Sequence, residues 1–223
     1  HVSDEFELGT IASSKDLVFA SSLEVNIHLL GKAAHVAFPE KGKDALKGMT
    51  FVLNKIYENG IEREGFIFGI GKAEAGRIRN IVADFGIIEG SIRSRSLEKS
   101  YEYLKELESI LQLAELKQWG IQGKIELGAA YKEVKNHPVL FDKCRKLLGN
   151  VLSFQEINMR MTGEDFGYFS EKYPAFMFWL GTRKPGSPET GLHNPYFSPP
   201  DDAVVLAVKA WSMILDNYSL FVS

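Results

Sequence analysis

The chain has 223 residues, of which 45% are hydrophobic and 25% charged, a composition typical of globular proteins. Its formal net charge is −3 and it has no dense run of Lys or Arg, which argues against nucleic acid as the main partner. Cys144 is the only cysteine, which excludes an intrachain disulfide. No apolar run is long enough to span a bilayer. Together these features predict a cytoplasmic protein without a membrane partner.

The first predicted elements are a strand–helix–strand unit and the strand that begins a second such unit. Alternating apolar residues predict a half-buried strand at 23–29. Apolar residues at steps of three and four predict a helix over 44–57. Further strands are expected at 66–70 and 81–93, and Gly90 is expected to form a bulge in the second of them.

A second helix and a fourth strand complete this pattern. Ser96 is the expected N-cap of a helix that continues to Ala114. Apolar residues then alternate over 121–131. Two such units side by side predict a ferredoxin-like split βαβ domain over 22–132, in which two helices cover one face of a four-stranded antiparallel sheet.

The remainder of the chain has a different character. The pattern predicts a helix at 138–148, a short buried strand at 176–180, a loop at 184–200 and a helix at 202–218. One short strand among helices leaves an unpaired sheet edge. Residues 133–223 are therefore predicted to be the C-terminal part of an α/β catalytic domain, and residues 1–21 the end of its upstream segment. The fold class is α/β with an α+β lid.

Two histidines in loops are candidates for chemistry. His193 follows the predicted buried strand, where α/β sheets place ligands and metals, although a solvated or capping role is the alternative. His35 lies among small residues directly after the first strand of the lid, where a ligand or partner can approach the backbone closely. His1, taken alone, indicates nothing.

Polar residues elsewhere have both functional and structural interpretations. Glu164 and Asp165 follow Gly163 and could equally be acids at the positive end of a helix dipole. Asn80 and Arg93 flank the long third strand. Arginine on a strand often binds a carboxylate through its planar fork, and equally often lies on the surface.

These segments form a series of short motifs in a fixed order. They are His1-Val2, Gly9-Thr10-Ile11, Gly31-Lys32-Ala33-Ala34-His35, Arg79-Asn80-Ile81-Val82-Ala83, Gly90-Ser91-Ile92-Arg93, Met161-Thr162-Gly163-Glu164-Asp165-Phe166 and Gly191-Leu192-His193. In this order they resemble the co-catalytic zinc peptidase and deacylase family, which includes aminoacylases, hippurate hydrolases and N-acetyldiaminopimelate deacetylases. The last group is the most similar, although many relatives have Pro in place of Ala83.

The resemblance implies a subunit with a catalytic α/β domain interrupted by a ferredoxin-like lid that forms a homodimer. His1 and His193 would match metal ligands. His35 would match a catalytic lid histidine that stabilises the oxyanion in the partner subunit's active site.

The resemblance also implies how the substrate is held and hydrolysed. Asn80 and Arg93 would bind the carboxylate end of the substrate, and Glu164 would lie nearby. Two divalent ions (zinc, cobalt or manganese) would activate water for hydrolysis of an N-acyl amino acid, closest to N-acetyl-diaminopimelate in lysine biosynthesis.

One departure from the family bears on activity. The upstream metal-binding motif of the family and its Glu-Glu pair are absent from this sequence, so we expect the chain alone to be inactive. Two alternatives stay open: a broader aminoacylase or hippurate-type hydrolase, and a non-catalytic dimerisation or binding module.

Overall fold

A computed structural model describes residues 1–192 and 194–221 of the chain, without the side chain of Leu220. The strands are β1 (Val2–Glu7), β2 (Thr10–Ser13), β3 (Leu17–Phe19), β4 (Ser21–Leu30), β5 (Glu62–Arg63), β6 (Phe66–Ala75), β7 (Phe85–Ser94), β8 (Gln122–Tyr131), β9 (Val134–Lys135), β10 (Ser153–Glu156) and β11 (Trp179–Arg183). The helices are α1 (Ala45–Glu58), α2 (Leu97–Leu111), α3 (Ala114–Trp119), α4 (Pro138–Leu148), α5 (Gly167–Lys172) and α6 (Asp202–Asp216), with 3-10 turns at Pro39–Lys41 and Tyr218–Leu220. Within the described ranges, no helix is long and apolar enough to cross a membrane.

The chain divides into two compact units. The first unit comprises His1–Phe19, Val134–Arg160 and Asp165–Ser223. The second unit comprises Ala20–Glu133 and the short segment Met161–Glu164. The sequence pattern did not indicate that Met161–Glu164 packs with the second unit.

The second unit has the predicted ferredoxin-like architecture. Its sheet has the order β5-β6-β7-β4-β8, and every neighbouring pair is antiparallel. Helices α1 and α2 contribute to one apolar core with the central strands. That core contains Leu23, Val25, Ile27, Leu29, Met49, Val52, Ile56, Phe68, Ile88, Ile92, Tyr103, Leu104, Leu107, Ile110, Leu111, Leu116 and Ile121. The short strand β5 is an addition at the β6 edge.

Local signals in the sequence set where the two long helices of this unit begin. The Asp44 carboxylate accepts hydrogen bonds from the backbone N–H groups of Leu46 (3.0 Å) and Lys47 (3.4 Å) at the start of α1. The predicted cap Ser96 accepts one from the N–H of Lys99 (3.3 Å) at the start of α2. These side chains satisfy N–H groups that have no partner inside the helix.

The expected bulge at Gly90 is wrong. The pairing of β4 with β7 continues without interruption through Gly90, and the irregularity lies in β6, between Ile70 and Lys72. A Cβ atom at position 90 would lie 2.7 Å from both the Gly69 carbonyl oxygen and the Phe68 ring. Glycine is therefore required at position 90 because the buried Phe68 ring occupies the space that a side chain would need.

The first unit contains more strands than the sequence pattern predicts. Its sheet has the order β1-β11-β2-β10, in which only the β11–β2 pair is antiparallel. Strands β3 and β9 form a separate pair. The predicted strand at 176–180 begins only at Trp179, and the helix predicted to reach 218 ends at Asp216. The missed strands are two to six residues long, too short to show a clear apolar period.

Candidate functional site

The loop that carries His35 is tied to the loop that carries Asn80. The N–H of Val36 donates to the Asn80 carbonyl oxygen (3.1 Å), and the N–H of Val82 donates to that of Ala34 (2.8 Å). His35 and Ile81 form an isolated antiparallel bridge. Two predicted site residues, 45 positions apart in the sequence, therefore lie side by side in the second unit.

His35 is exposed and its ring orientation is defined by one hydrogen bond. Its Nδ1 accepts a hydrogen bond from the N–H of Ala37 at 3.1 Å. In the neutral ring the proton then lies on Nε2. His35 consequently presents an N–H donor at an exposed loop, as an oxyanion-stabilising residue must.

Glycine is required at the start of the His35 loop. A Cβ atom at Gly31 would overlap the carbonyl oxygen of Lys43, because the chain returns past this point before α1. The backbone of Lys32 and Lys43 exchanges two hydrogen bonds of 2.9 Å here. These contacts close the loop at its base and leave His35 exposed near its tip.

Arg93 lies on the face of the second unit's sheet that the helices do not cover. Its neighbours Ile92 and Ser94 are buried, and side chains alternate along a strand, so the guanidinium points to the opposite face. Arg93 is half-buried, and burial lowers its pKa while the charge of Glu24 raises it. Within the described residues no side chain or backbone oxygen is hydrogen-bonded to this guanidinium. An unpaired, partly desolvated arginine of this kind is suited to bind a carboxylate.

The segment Met161–Glu164 lies against Arg93. A Cβ atom built on Gly163 would clash with Nη1 of Arg93 and would lie 2.7 Å from Cβ of Ser22. Glu164, the predicted substrate-binding acid, follows directly and belongs to the same unit. The structure thus places the Glu164 segment beside Arg93, although 70 residues separate them in the sequence.

Gly163→Ala tests this contact. The added methyl group should displace the guanidinium of Arg93, because a contact below about 3 Å forces one of the two groups to move. We expect kcat/KM of the full-length protein to fall about 10-fold or more, since misplacement of a substrate-binding group is costly. The control is Gly69→Ala, whose Cβ atom would have only an ordinary 3.9 Å contact. Equal kinetics for the two variants would contradict the interpretation.

The two predicted metal-binding residues are His1, which belongs to the first unit, and His193. His1 precedes β1, and its ring centroid lies 5.5 Å from that of Trp179. His193 lies outside the described residues. Among the residues that are described, no group of three or more His, Cys, Asp and Glu side chains is arranged to hold a metal ion. His1 has the imidazole chemistry that zinc favours, but the described residues by themselves do not fit a pair of metal ions.

A buried carboxylate that the sequence analysis missed lies in the same unit as His1. Asp4 is 7% exposed and accepts hydrogen bonds from Thr190 and Gly191, which are three and two positions before the predicted metal residue His193 in the sequence. An acidic residue in a segment without a recognised strand pattern gave no signal of burial. Recognition of β1 as a strand would have been needed to find it.

Comparison with known protein families finds a match within the second unit. Residues 20–118 match the peptidase dimerisation domain of the M20 family. The matched residues lie within the second unit, whose ferredoxin-like sheet and helices are described above.

The similarity extends over both units in particular relatives. The chain is similar to the N-acetyldiaminopimelate deacetylase of Anoxybacillus flavithermus (31% identity over 215 residues, 94% of this chain and 56% of the relative). It is also similar to the N-acetyldiaminopimelate deacetylase of Brevibacillus brevis (33% identity over 216 residues, 94% and 56%). The chain thus spans about half the length of the curated relatives it matches.

Solved structures share the fold at lower identity. The YXEP protein of Bacillus subtilis, described as a dinuclear metal-binding peptidase of the M20 family, has a TM-score of 0.73 at 20% identity, over 96% of this chain and 54% of that one. An aminobenzoyl-glutamate utilization protein from Klebsiella pneumoniae has a TM-score of 0.73 at 15% identity, over 96% and 52%. These matches support the fold alone.

Proposed function

We propose that this chain is part of a metal-dependent amidohydrolase that removes the acetyl group from N-acetyl-diaminopimelate in lysine biosynthesis. Two curated relatives named for that activity match 94% of the chain at 31–33% identity. The structural observation that carries the proposal is Arg93, a half-buried guanidinium with no hydrogen-bonded acceptor in the described part of the chain. A cytoplasmic location stays a prediction from the sequence.

In the proposed complex Arg93 holds the carboxylate next to the scissile amide. Because the guanidinium is partly shielded from water, its electrostatic attraction to a bound carboxylate is stronger than it would be at the surface. The two parallel N–H donors of arginine fix the carboxylate in one orientation. Asn80 is the second proposed contact to this end of the substrate. Glu164 is the third proposed substrate-binding residue. The substrate is thereby oriented before any bond is broken.

His35 is the proposed oxyanion donor, acting on substrate in a partner subunit. Its Nε2–H is free to donate because Nδ1 already accepts the N–H of Ala37. The surrounding loops also expose Val36, Phe38 and Ile78, which are 46%, 52% and 57% accessible. Exposed apolar side chains around a donor are typical of a surface that another chain covers. A homodimer through the lid, as the matched dimerisation domain suggests, provides that chain.

The proposed metal site uses His1 and His193, with the remaining ligands outside this chain. Two divalent ions (zinc, cobalt or manganese) would supply an activated water and polarise the amide carbonyl. The description of one structural neighbour as a dinuclear metal-binding peptidase supports metal dependence. Of these two histidines, His1 lies among the described residues.

A hydrolysis assay on two proteins tests the proposal. The first is the 223-residue chain. The second is the full-length protein, which also includes the counterpart of the part of the curated relatives that this chain does not span. We expect only the second to release acetate from N-acetyl-diaminopimelate, with activity lost on chelation and restored by a divalent metal. Hydrolysis by the 223-residue chain alone would contradict the proposal that the remaining metal ligands lie outside this chain.

Two other candidates are separated by the same assay. A broad aminoacylase or hippurate-type hydrolase would turn over N-acetyl-methionine or hippurate at least as well as N-acetyl-diaminopimelate. A non-catalytic dimerisation module is favoured by one observation, the lack of a metal cluster among the described residues. It would show no hydrolysis of any of these amides by the full-length protein while it still forms a dimer.

The 223-residue chain should also be prone to self-association, because α6 has an exposed apolar stripe. Val204, Val208, Trp211 and Leu215 follow one another at helical spacing, and each is more than half exposed. Contiguous apolar surface of this kind is a liability in an isolated protein. The double variant Val208→Glu/Leu215→Glu should bind less hydrophobic dye and elute later in gel filtration. Lys209→Glu, on the same helix outside the stripe, serves as the control and should leave both unchanged.

A further inference from the structure

Asp4 lies where β1 departs from regular pairing. Along β1, Ser3 pairs with Gly181 and Glu7 with Arg183, so four steps on β1 correspond to two on β11. The extra residues form a bulge that includes Asp4. Bulges re-aim side chains and are frequent beside functional sites. Asp4 lies in this irregular stretch and is 7% exposed.

The carboxylate of Asp4 accepts hydrogen bonds from one short stretch of a distant loop. The N–H and the hydroxyl of Thr190 donate to Oδ2 at 2.6 and 2.5 Å. The N–H of Gly191 donates to Oδ2 at 3.0 Å and to Oδ1 at 3.2 Å. Both carboxylate oxygens are thus engaged, and the backbone of two consecutive residues is fixed by a single side chain.

The chemistry at this contact is that of an ionised carboxylate. Burial raises the pKa of Asp4, but the hydrogen bonds from Thr190 and Gly191 outweigh it and leave the pKa below its usual value. Hydrogen bonds to a charged acceptor are about twice as strong as neutral ones. Gly191 has φ +83°, a left-handed conformation that favours glycine. The loop is therefore held in one specific path at this point.

We infer that Asp4 is a positioning residue that fixes the approach of the loop to His193 against the strand that follows His1. Asp4 lies three residues after His1, and Thr190 lies three residues before His193. One carboxylate, three residues after the first proposed metal-binding histidine, consequently fixes the backbone of Thr190 and Gly191, which precede the second in the sequence. This inference rests on the proposed function, which gives those two histidines their role.

Amide exchange on the 223-residue chain tests the contact without any requirement for activity. Asp4→Asn keeps the shape of the side chain but places an N–H₂ group where an oxygen accepts. The amides of Thr190 and Gly191 should then exchange about 10- to 100-fold faster, while amides of the second unit should be unchanged. Thr190→Val, which removes only the hydroxyl bond, should give a smaller increase at the same two amides. It remains informative if Asp4→Asn folds poorly.

Asp142→Asn is the matched control. It makes the same chemical change in the same unit, but Asp142 forms only an exposed ion pair with Lys15. Exchange at Thr190 and Gly191 should stay at the level of the unsubstituted chain. Exchange in Asp4→Asn that is no faster than in this control would overturn the inference.

Kinetics of the full-length protein test the positioning role itself. Asp4→Asn should lower kcat about 10-fold or more and leave KM within about 2-fold, because the substrate-binding residues lie on other elements. Faster exchange with an unchanged kcat would show a purely structural contact and would also overturn the inference. If the unsubstituted full-length protein has no activity, the proposed function fails, and the exchange measurement still reports separately on the contact.

Discussion

Replacement of Arg93 with alanine is expected to lower kcat/KM for N-acetyl-diaminopimelate about 10²- to 10³-fold in the full-length protein, because a charge-assisted bidentate contact to a carboxylate is lost. Arg93 is half-buried and has no hydrogen-bonded acceptor within the described residues, so its N–H donors are available to the proposed substrate. Arg93→Lys keeps the charge and loses the planar fork, and we expect it to recover only part of the loss.

Two comparisons make this prediction specific. Arg95→Ala removes an exposed guanidinium two residues along the chain and should change kcat/KM by less than about 2-fold, as surface substitutions usually do. N-acetyl-1,5-diaminopentane resembles the proposed substrate but has no carboxylate, and Arg93→Ala should have little effect on its turnover. An equal loss with both substrates would assign Arg93 a role in folding rather than in carboxylate binding.

Replacement of Asn136 with alanine is expected to give the largest loss of stability, about 3–5 kcal/mol, because several buried polar groups lose their partners together. Nδ2 of Asn136 donates to Oγ of Ser13 (2.8 Å), to the carbonyl oxygen of Ser14 (2.7 Å) and to that of Met177 (3.1 Å). Its Oδ1 accepts the N–H of Met177 at 2.6 Å. Asn136→Asp should be as harmful, since a carboxylate would face two carbonyl oxygens.

The measurement is urea denaturation of the 223-residue chain in a Trp119→Phe background. Fluorescence then reports Trp179 and Trp211, which both belong to the first unit. Asn150→Ala is the control, because Asn150 is exposed and its replacement should alter stability by less than about 0.5 kcal/mol. A loss of about 1 kcal/mol or less for Asn136→Ala would show that the network contributes little.

The fold of the second unit could be predicted from the sequence because its elements are long and its periods are clear. Strands and helices of 10 to 15 residues provide enough positions to distinguish a period of two from a period of 3.6. Caps such as Ser96 then mark where a helix begins. The strands of the first unit could not be predicted in this way, because they are six residues or shorter and pair with residues far along the chain.

The candidate site was predicted by residue type but not by arrangement. His35 and Asn80 are adjacent because two loops exchange backbone hydrogen bonds, an interaction that depends on no side-chain pattern. Gly163 lies against Arg93 because Met161–Glu164 packs with the second unit. Asp4 was overlooked for the same reason, since its burial depends on a bulge and on a loop 186 residues away.

The amino-acid sequence was enough to predict a ferredoxin-like domain and to indicate a resemblance to co-catalytic amidohydrolases. It also gave the candidate residues His1, His35, Asn80, Arg93, Glu164 and His193. These features are local, because each is written in a short stretch of residues whose spacing or motif has a direct physical meaning. The folded chain was needed to show which glycines are required, that Arg93 has no hydrogen-bonded acceptor among the described residues, and that the Asp4 carboxylate accepts hydrogen bonds from Thr190 and Gly191. Each of these features depends on which atoms lie next to the residue in the folded chain, and those atoms belong to segments that are distant in the sequence.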